Sequence, residues 1–153
     1  MDLGLKGKRV VVTGGSKGIG RSICETYLYE GASVEFCARN AEGVAATEKD
    51  LSSLGSIKGT SVDVADGEAL AAWVNAAADR MGGIDYAVSN ASALANGASA
   101  DNWQKEFTVD IMGTQVLFDT TLPYLQKAAA ASGDAGIVVI SSVSAAETTA
   151  PNA

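Results

Sequence analysis

The segment TGGSKGIG (residues 13–20) sits between the β-branched run RVVVT (9–13) and the helical pattern RSICETYLYEG (21–31). A continuous apolar run of that length reads as a strand buried on both faces of a parallel sheet. In the helical pattern Ile23, Tyr27 and Leu28 share one face, and Gly31 ends it. A glycine-rich turn leading from a strand into a helix is the context that a dinucleotide-binding loop requires. The spacing here is G-x-x-x-G-x-G. Gly14 permits the sharp turn, Gly18 lets the backbone approach a pyrophosphate, and Gly20 lets the helix pack closely on the sheet. The helix N-terminus offers amide donors and a partial positive charge to phosphates, and Ser16 can add a hydroxyl. An ordinary structural turn is the competing reading of the glycines alone.

The alternation continues outward from this loop. ASVEFCA (32–38), IKGTSV (57–62), IDYAVS (84–89) and GIVVIS (136–141) read as further strands, the last as a buried apolar one. NAEGVAATEKDLSSLG (40–55) and GEALAAWVNAAADRMGG (67–83) read as helices. Asp66 is placed to cap the second of these, with Leu70, Trp73, Val74 and Ala77 along its inner face. One long helix is expected over 101–131, with Trp103, Phe107, Ile111, Leu117, Phe118, Leu122 and Leu125 as its apolar stripe. Pro123 should kink it or interrupt its hydrogen bonding. Five strands alternating with four helices give an α/β fold: a doubly wound parallel sheet in three layers, α/β/α. A single domain covers 1–153.

The chain has 153 residues, 47% hydrophobic and 19% charged, which suits one globular domain with a real core. A net charge of −7 without a basic cluster argues against nucleic acid as a partner. An anionic ligand would therefore need local amides and placed cations. With no His, His-based triads and most zinc sites are excluded. Cys24 and Cys37 fall inside apolar patterns and read as buried free thiols, which fits a reducing cytoplasm. No apolar run is long enough to span a bilayer, and the N-terminus lacks a signal-peptide core. The expectation is a cytoplasmic protein with no membrane partner.

Taken together, TGGSKGIG, VDV (62–64), SNAS (89–92) and ISS (140–142) occur in an order that resembles the short-chain dehydrogenase/reductase family along essentially the whole chain. The resemblance implies a Rossmann-type sheet of strand order 3-2-1-4-5. It implies an NAD(P)-dependent oxidoreductase that transfers hydride between a nicotinamide and a ketone or secondary alcohol. The loop residues it assigns to the cofactor are Gly14, Ser16, Lys17, Gly18 and Ile19. Asp63 and Val64 would look onto the adenine, Asn90 would tie the fourth strand to its neighbours, and Ala91 would pass close to a cofactor ribose. Ser92 stands where the family carries Gly, and would be strained if the backbone there needs positive φ.

NAD-using relatives carry Asp at the end of the second strand; here FCARN (36–40) places Ala38 there, followed by Arg39. A cation accommodates a ribose 2′-phosphate, and a carboxylate takes the 2′-hydroxyl. Arg39 and Lys17 together favour NADP over NAD. Ser142 matches the family's catalytic Ser, and Asp110 stands where the family carries an Asn that supports a proton relay.

The resemblance further implies a Tyr-x-x-x-Lys pair, which would begin just beyond Ala153. No tyrosine in this sequence is followed four residues later by Lys. The chain is therefore expected to be a truncated form, with GIVVIS on an open edge and a helix stripe that family members use for homo-oligomers. The alternative is a catalytically inactive nucleotide-binding or partner-binding fragment.

Overall fold

Val10, Val11 and Val12 are fully buried, and they form the middle of the sheet. In the computed structural model, which describes residues 3–95, 97 and 99–142, β1 (Arg9–Thr13) pairs in parallel with β2 (Ser33–Ala38) on one side and β4 (Tyr86–Ser89) on the other. Beyond them lie β3 (Ile57–Ser61) and β5 (Gly136–Val139), giving the order β3-β2-β1-β4-β5. This is the Rossmann-like sheet expected from the motif order. Successive residues of a strand face opposite sides. Val10, Val12, Val34, Phe36 and Val88 accordingly join α1 (Gly18–Tyr29) and α2 (Ala41–Leu51) in one core. Val11, Cys37 and Ala87 join α3 (Gly67–Met81) and α5 (Gly113–Ser132) in the other.

The inner face read for α3 is the buried one, with Leu70, Trp73, Val74 and Ala77 all in the core. Asp66 caps α3 by accepting a hydrogen bond from the Ala69 amide at 3.0 Å, and Gly82 closes it at φ +75°. The two thiols are buried, and burial pushes both up to about 12, so neither is a ready nucleophile.

Two expectations are corrected. The long helix is not one α-helix: α4 (Ala100–Glu106) runs into a π-helical segment, Phe107–Met112, and then into α5. The irregularity lies in that segment, and α5 continues through Pro123. The apolar stripe is split as a result. Leu117 and Leu125 are buried, whereas Trp103, Phe107, Ile111 and Phe118 are exposed. The second correction concerns the last strand. Val138 and Val139 are 45% and 53% exposed, because β5 pairs only with β4 and has an open edge among the described residues. Among those residues no helix is long and apolar enough to cross a membrane, and no group of acidic or Cys residues is arranged to hold a metal.

The amino edge of the sheet is fastened by charge. Asp85, just before β4, accepts bonds from the Arg9 amide (2.8 Å), Arg9 Nε (2.8 Å) and Arg9 Nη2 (3.0 Å). Burial alone would raise the Asp85 carboxyl. The bonds from the Arg9 side chain and amide, with the charges of Arg9 and Lys8, outweigh it and hold the carboxyl below the usual Asp value. A carboxyl lowered on folding contributes stability that is complete above its unfolded value, about 3.9, and is lost as pH falls through the folded value. Asp85→Asn is therefore expected to flatten the acid limb of stability below about pH 4. Urea midpoints that fall with pH equally in both proteins would contradict this.

Candidate functional site

At the carboxyl edge of the sheet the chain turns sharply after β1. The Gly14 and Gly15 amides both bond the Cys37 carbonyl, at 2.8 and 3.2 Å, and Gly14 takes φ +71°. No side chain would fit here. A Cβ on Gly15 would lie 2.6 Å from Phe36 Cβ, and one on Gly20 would lie 2.2 Å from the Gly14 carbonyl oxygen. Gly18 differs: its φ is +53°, and nothing lies within 4 Å of where its Cβ would be. The two glycines flanking Ile19 thus have opposite surroundings, one packed against its own chain and one facing open space.

Helices α2, α3 and α4 each have an N-cap side chain that accepts a backbone amide: Asn40, Asp66 and Ser99 respectively. Helix α1 has none; its N-cap residue is Lys17, and its first turn holds no acidic side chain. An uncapped first turn leaves amide donors and the positive end of the helix dipole available to an anion. The loop is braced from α2, where the Thr47 hydroxyl donates to the Ser16 carbonyl at 2.8 Å. Lys17, Gly18 and Ile19 are exposed.

The β4 end is locked to the loop. The Asn90 side-chain amide donates to the Thr13 carbonyl at 3.1 Å and the Gly14 carbonyl at 3.2 Å. The Asn90 and Ala91 amides both donate to the Thr13 hydroxyl, at 3.0 and 3.2 Å. Sequence reasoning overlooked Thr13 and Gly15, although the TGG spelling carries both. A hydroxyl at the strand end can accept two amides that would otherwise lack partners. Ser92 shows no positive φ; the left-handed position is Leu94, at φ +50°.

Asp110, in the π-helical segment, holds the loop that follows. Its carboxylate accepts the Ser92 hydroxyl at 2.9 Å and the Ala93 amide at 2.8 Å. The Asp110 carbonyl in turn accepts the Thr114 hydroxyl at 2.6 Å, and that hydroxyl lies 2.7 Å from the Ser89 hydroxyl. A polar chain therefore runs from the end of β4 to the helix. Asp63 Oδ1 accepts the Ala65 amide at 3.0 Å, forming a turn, and Val64 is buried with its carbonyl close to Gly113.

A cleft of about 330 Å³ opens between the strand ends and α4, with Arg39, Asp63 and Ala93 on the strand side. Gln104, Lys105 and Thr108 line its other wall, and nothing in their spacing had marked them. A larger groove, about 730 Å³, runs along the outside of α1, and Gly18 and Ile19 belong to it. Ser142 is exposed, three residues past the end of β5 on the same edge of the sheet. None of the tyrosines is at this edge. Tyr27 and Tyr29 are on α1, and Tyr124, on α5, donates to Asn75. Tyr86 begins β4 at the opposite edge, where its hydrogen bond to Asp134 pushes it up to about 12.

The short chain dehydrogenase family profile matches residues 8–152. The chain belongs to the short-chain dehydrogenase family. Isoepoxydon dehydrogenase of Penicillium expansum is 38% identical over 146 residues, which cover 91% of this chain and 54% of that protein. The RhlG protein of Pseudomonas aeruginosa, solved as an active-site complex with NADP, superposes with a TM-score of 0.86 at 27% identity, over 97% of this chain and 60% of that one. An NADH-dependent reductase solved with NAD gives the same TM-score, 0.86, at 24% identity over 95% of this chain and 63% of that chain, a likeness of fold. This chain spans about half the length of the curated family members it matches.

Proposed function

We propose that the chain binds NADP(H) and supplies the cofactor half of a short-chain dehydrogenase/reductase acting on a ketone or secondary alcohol. The observation that carries this reading is the first turn of α1, a helix start at the strand ends with no side-chain cap, beside a Gly18 that faces open space. Gly14, Ser16, Lys17, Gly18 and Ile19 would hold the pyrophosphate there. Asp63, Val64, Asn90 and Ala91 would flank the adenine and ribose, and the nicotinamide would supply the hydride. Proteins of like fold have been solved with NADP and with NAD, so likeness alone does not choose between them. The choice rests on Ala38, where a carboxylate would be needed for NAD, and on Arg39 in the wall of the cleft.

Of the catalytic positions, Ser142 would polarise the substrate oxygen. Asp110 would act by fixing the loop 92–93, since its carboxylate is occupied by the Ser92 hydroxyl and the Ala93 amide. A second reading, a nucleotide-binding module without turnover, is favoured by the placement of the tyrosines away from the site. Cofactor titration combined with a turnover assay separates the two.

For the cofactor, NADPH is expected to bind more tightly than NADH. Arg39→Glu should weaken NADPH by tenfold or more, on the order of a lost charge-assisted hydrogen bond, and change NADH little. Tighter binding of NADH by the unaltered protein would overturn the assignment.

A further inference from the structure

The cleft that contains Arg39 has a second cation, and it is not Lys17. Lys105, on the last turn of α4, lines the same 330 Å³ space. Its side chain is exposed and has no ion pair among the described residues. The polar neighbours on its wall are committed to each other. Gln104 Nε2 donates to the Thr108 hydroxyl at 3.1 Å, and that hydroxyl donates to the Gln104 carbonyl at 2.7 Å. On the strand side, Asp63 is turned toward the Ala65 amide at 3.0 Å. Arg39 likewise has no ion pair among the described residues, so two cations face one carboxylate, a local excess of positive charge in a chain of net charge −7.

A phosphate monoester carries about −1.5 to −2 near neutral pH. Lys17 does not line this cleft, so within it Arg39 alone would leave roughly half of that uncompensated. The ammonium of a lysine, a compact charge on a flexible stem, suits the remainder. We propose that Lys105 is a specificity-determining residue that supplies the second positive charge to an adenosine 2′-phosphate, reaching it from the α4 wall while Arg39 reaches it from the end of β2. This rests on the NADP reading above, and it adds α4 to the elements that read the nucleotide.

The test is calorimetric titration of the full chain with adenosine 2′,5′-bisphosphate and with 5′-AMP, neither of which depends on turnover. The unaltered protein is expected to prefer the bisphosphate. Lys105→Gln should weaken the bisphosphate about tenfold, the scale of one lost charge-assisted contact, and leave AMP within about twofold. Its bisphosphate affinity should also fall less steeply with salt. Because Lys105 is exposed, its variant should melt with the parent. Equal weakening of both nucleotides, or no change in either, overturns the role of Lys105. If the unaltered protein shows no preference for the bisphosphate, the NADP reading itself has failed. If the preference is lost in Arg39→Gln but kept in Lys105→Gln, only the present inference has failed.

Discussion

Arg80→Ala is expected to destabilise the chain by about 3 kcal/mol, the low end of what removing one partner from a buried ion pair costs. Glu35 lies in the middle of β2 with its side chain only 4% exposed. Its two oxygens are held by Arg80 Nε at 2.7 Å and Arg80 Nη2 at 2.6 Å, a bidentate pair reaching in from the last turn of α3. Truncating Arg80 leaves a carboxylate inside an apolar layer formed by Val11, Cys37, Val74 and Ala77. The guanidinium is itself 46% exposed, so the space it vacates admits some water, and the low end of the range is the expectation. Arg80→Lys keeps the charge, loses the fork, and should fall between the two. Replacing both residues by Leu should recover most of the loss, because an apolar pair needs no hydrogen bonds. Urea unfolding measures all of these. A loss below about 1 kcal/mol, the range of exposed pairs, for Arg80→Ala would show that the pair behaves as a surface salt bridge.

Gly20→Ala should act on the loop as a whole. Its Cβ would lie 2.2 Å from the Gly14 carbonyl oxygen and 2.5 Å from Asn90 Nδ2. These atoms belong to the lock between β1 and β4, so relief requires moving α1 or breaking the Asn90 bonds. Overpacking of this kind costs about 1–3 kcal/mol, and nucleotide binding should be lost with it. Gly18→Ala is the informative partner. It meets no atom, so its cost is that of a left-handed alanine, about 1–2 kcal/mol. Its main effect should be on affinity for the nucleotide. Melting curves and nucleotide titrations of the two variants should therefore separate packing from contact. If Gly20→Ala melts with the parent, the tight contact is not rigid.

β1, β4 and β5 were legible as short apolar runs, whereas β2 carries Glu35 and β3 reads IKGTS, so those two were placed by the alternation of strand and helix; the strand order followed from the motifs at their ends. The π-helical segment was not. In a regular α-helix Trp103, Phe107, Ile111, Leu117 and Leu125 would fall on one broad face, at 100° per residue. A π turn closes a wider i→i+5 ring and turns less per residue. Over Phe107–Met112 the downstream helix is rotated by roughly a quarter turn or more relative to the upstream one. That puts Leu117 and Leu125 in the core and leaves Phe107 and Ile111 outside it. Residue types alone do not encode the extra atoms in that ring. The cleft wall at Gln104 and Lys105 was hidden for a related reason. It depends on where α4 sits across the loop after β4, and no local spacing reports that. In the glycine loop the turn read for Gly14 and the close packing read for Gly20 were legible, because only glycine tolerates that φ or those contacts, whereas the equally crowded Gly15 was missed.

The crowding around Gly15 and Gly20 involves only the chain's own atoms: Phe36, the Gly14 carbonyl and Asn90. Selection for folding alone would keep those two glycines, with or without a nucleotide. A family member that binds no dinucleotide would still spell most of this loop. No atom of the protein crowds Gly18, so folding holds it only through its positive φ, which Asn and Asp also adopt. Drift at that position, with its neighbours unchanged, would be the first trace of a lost ligand.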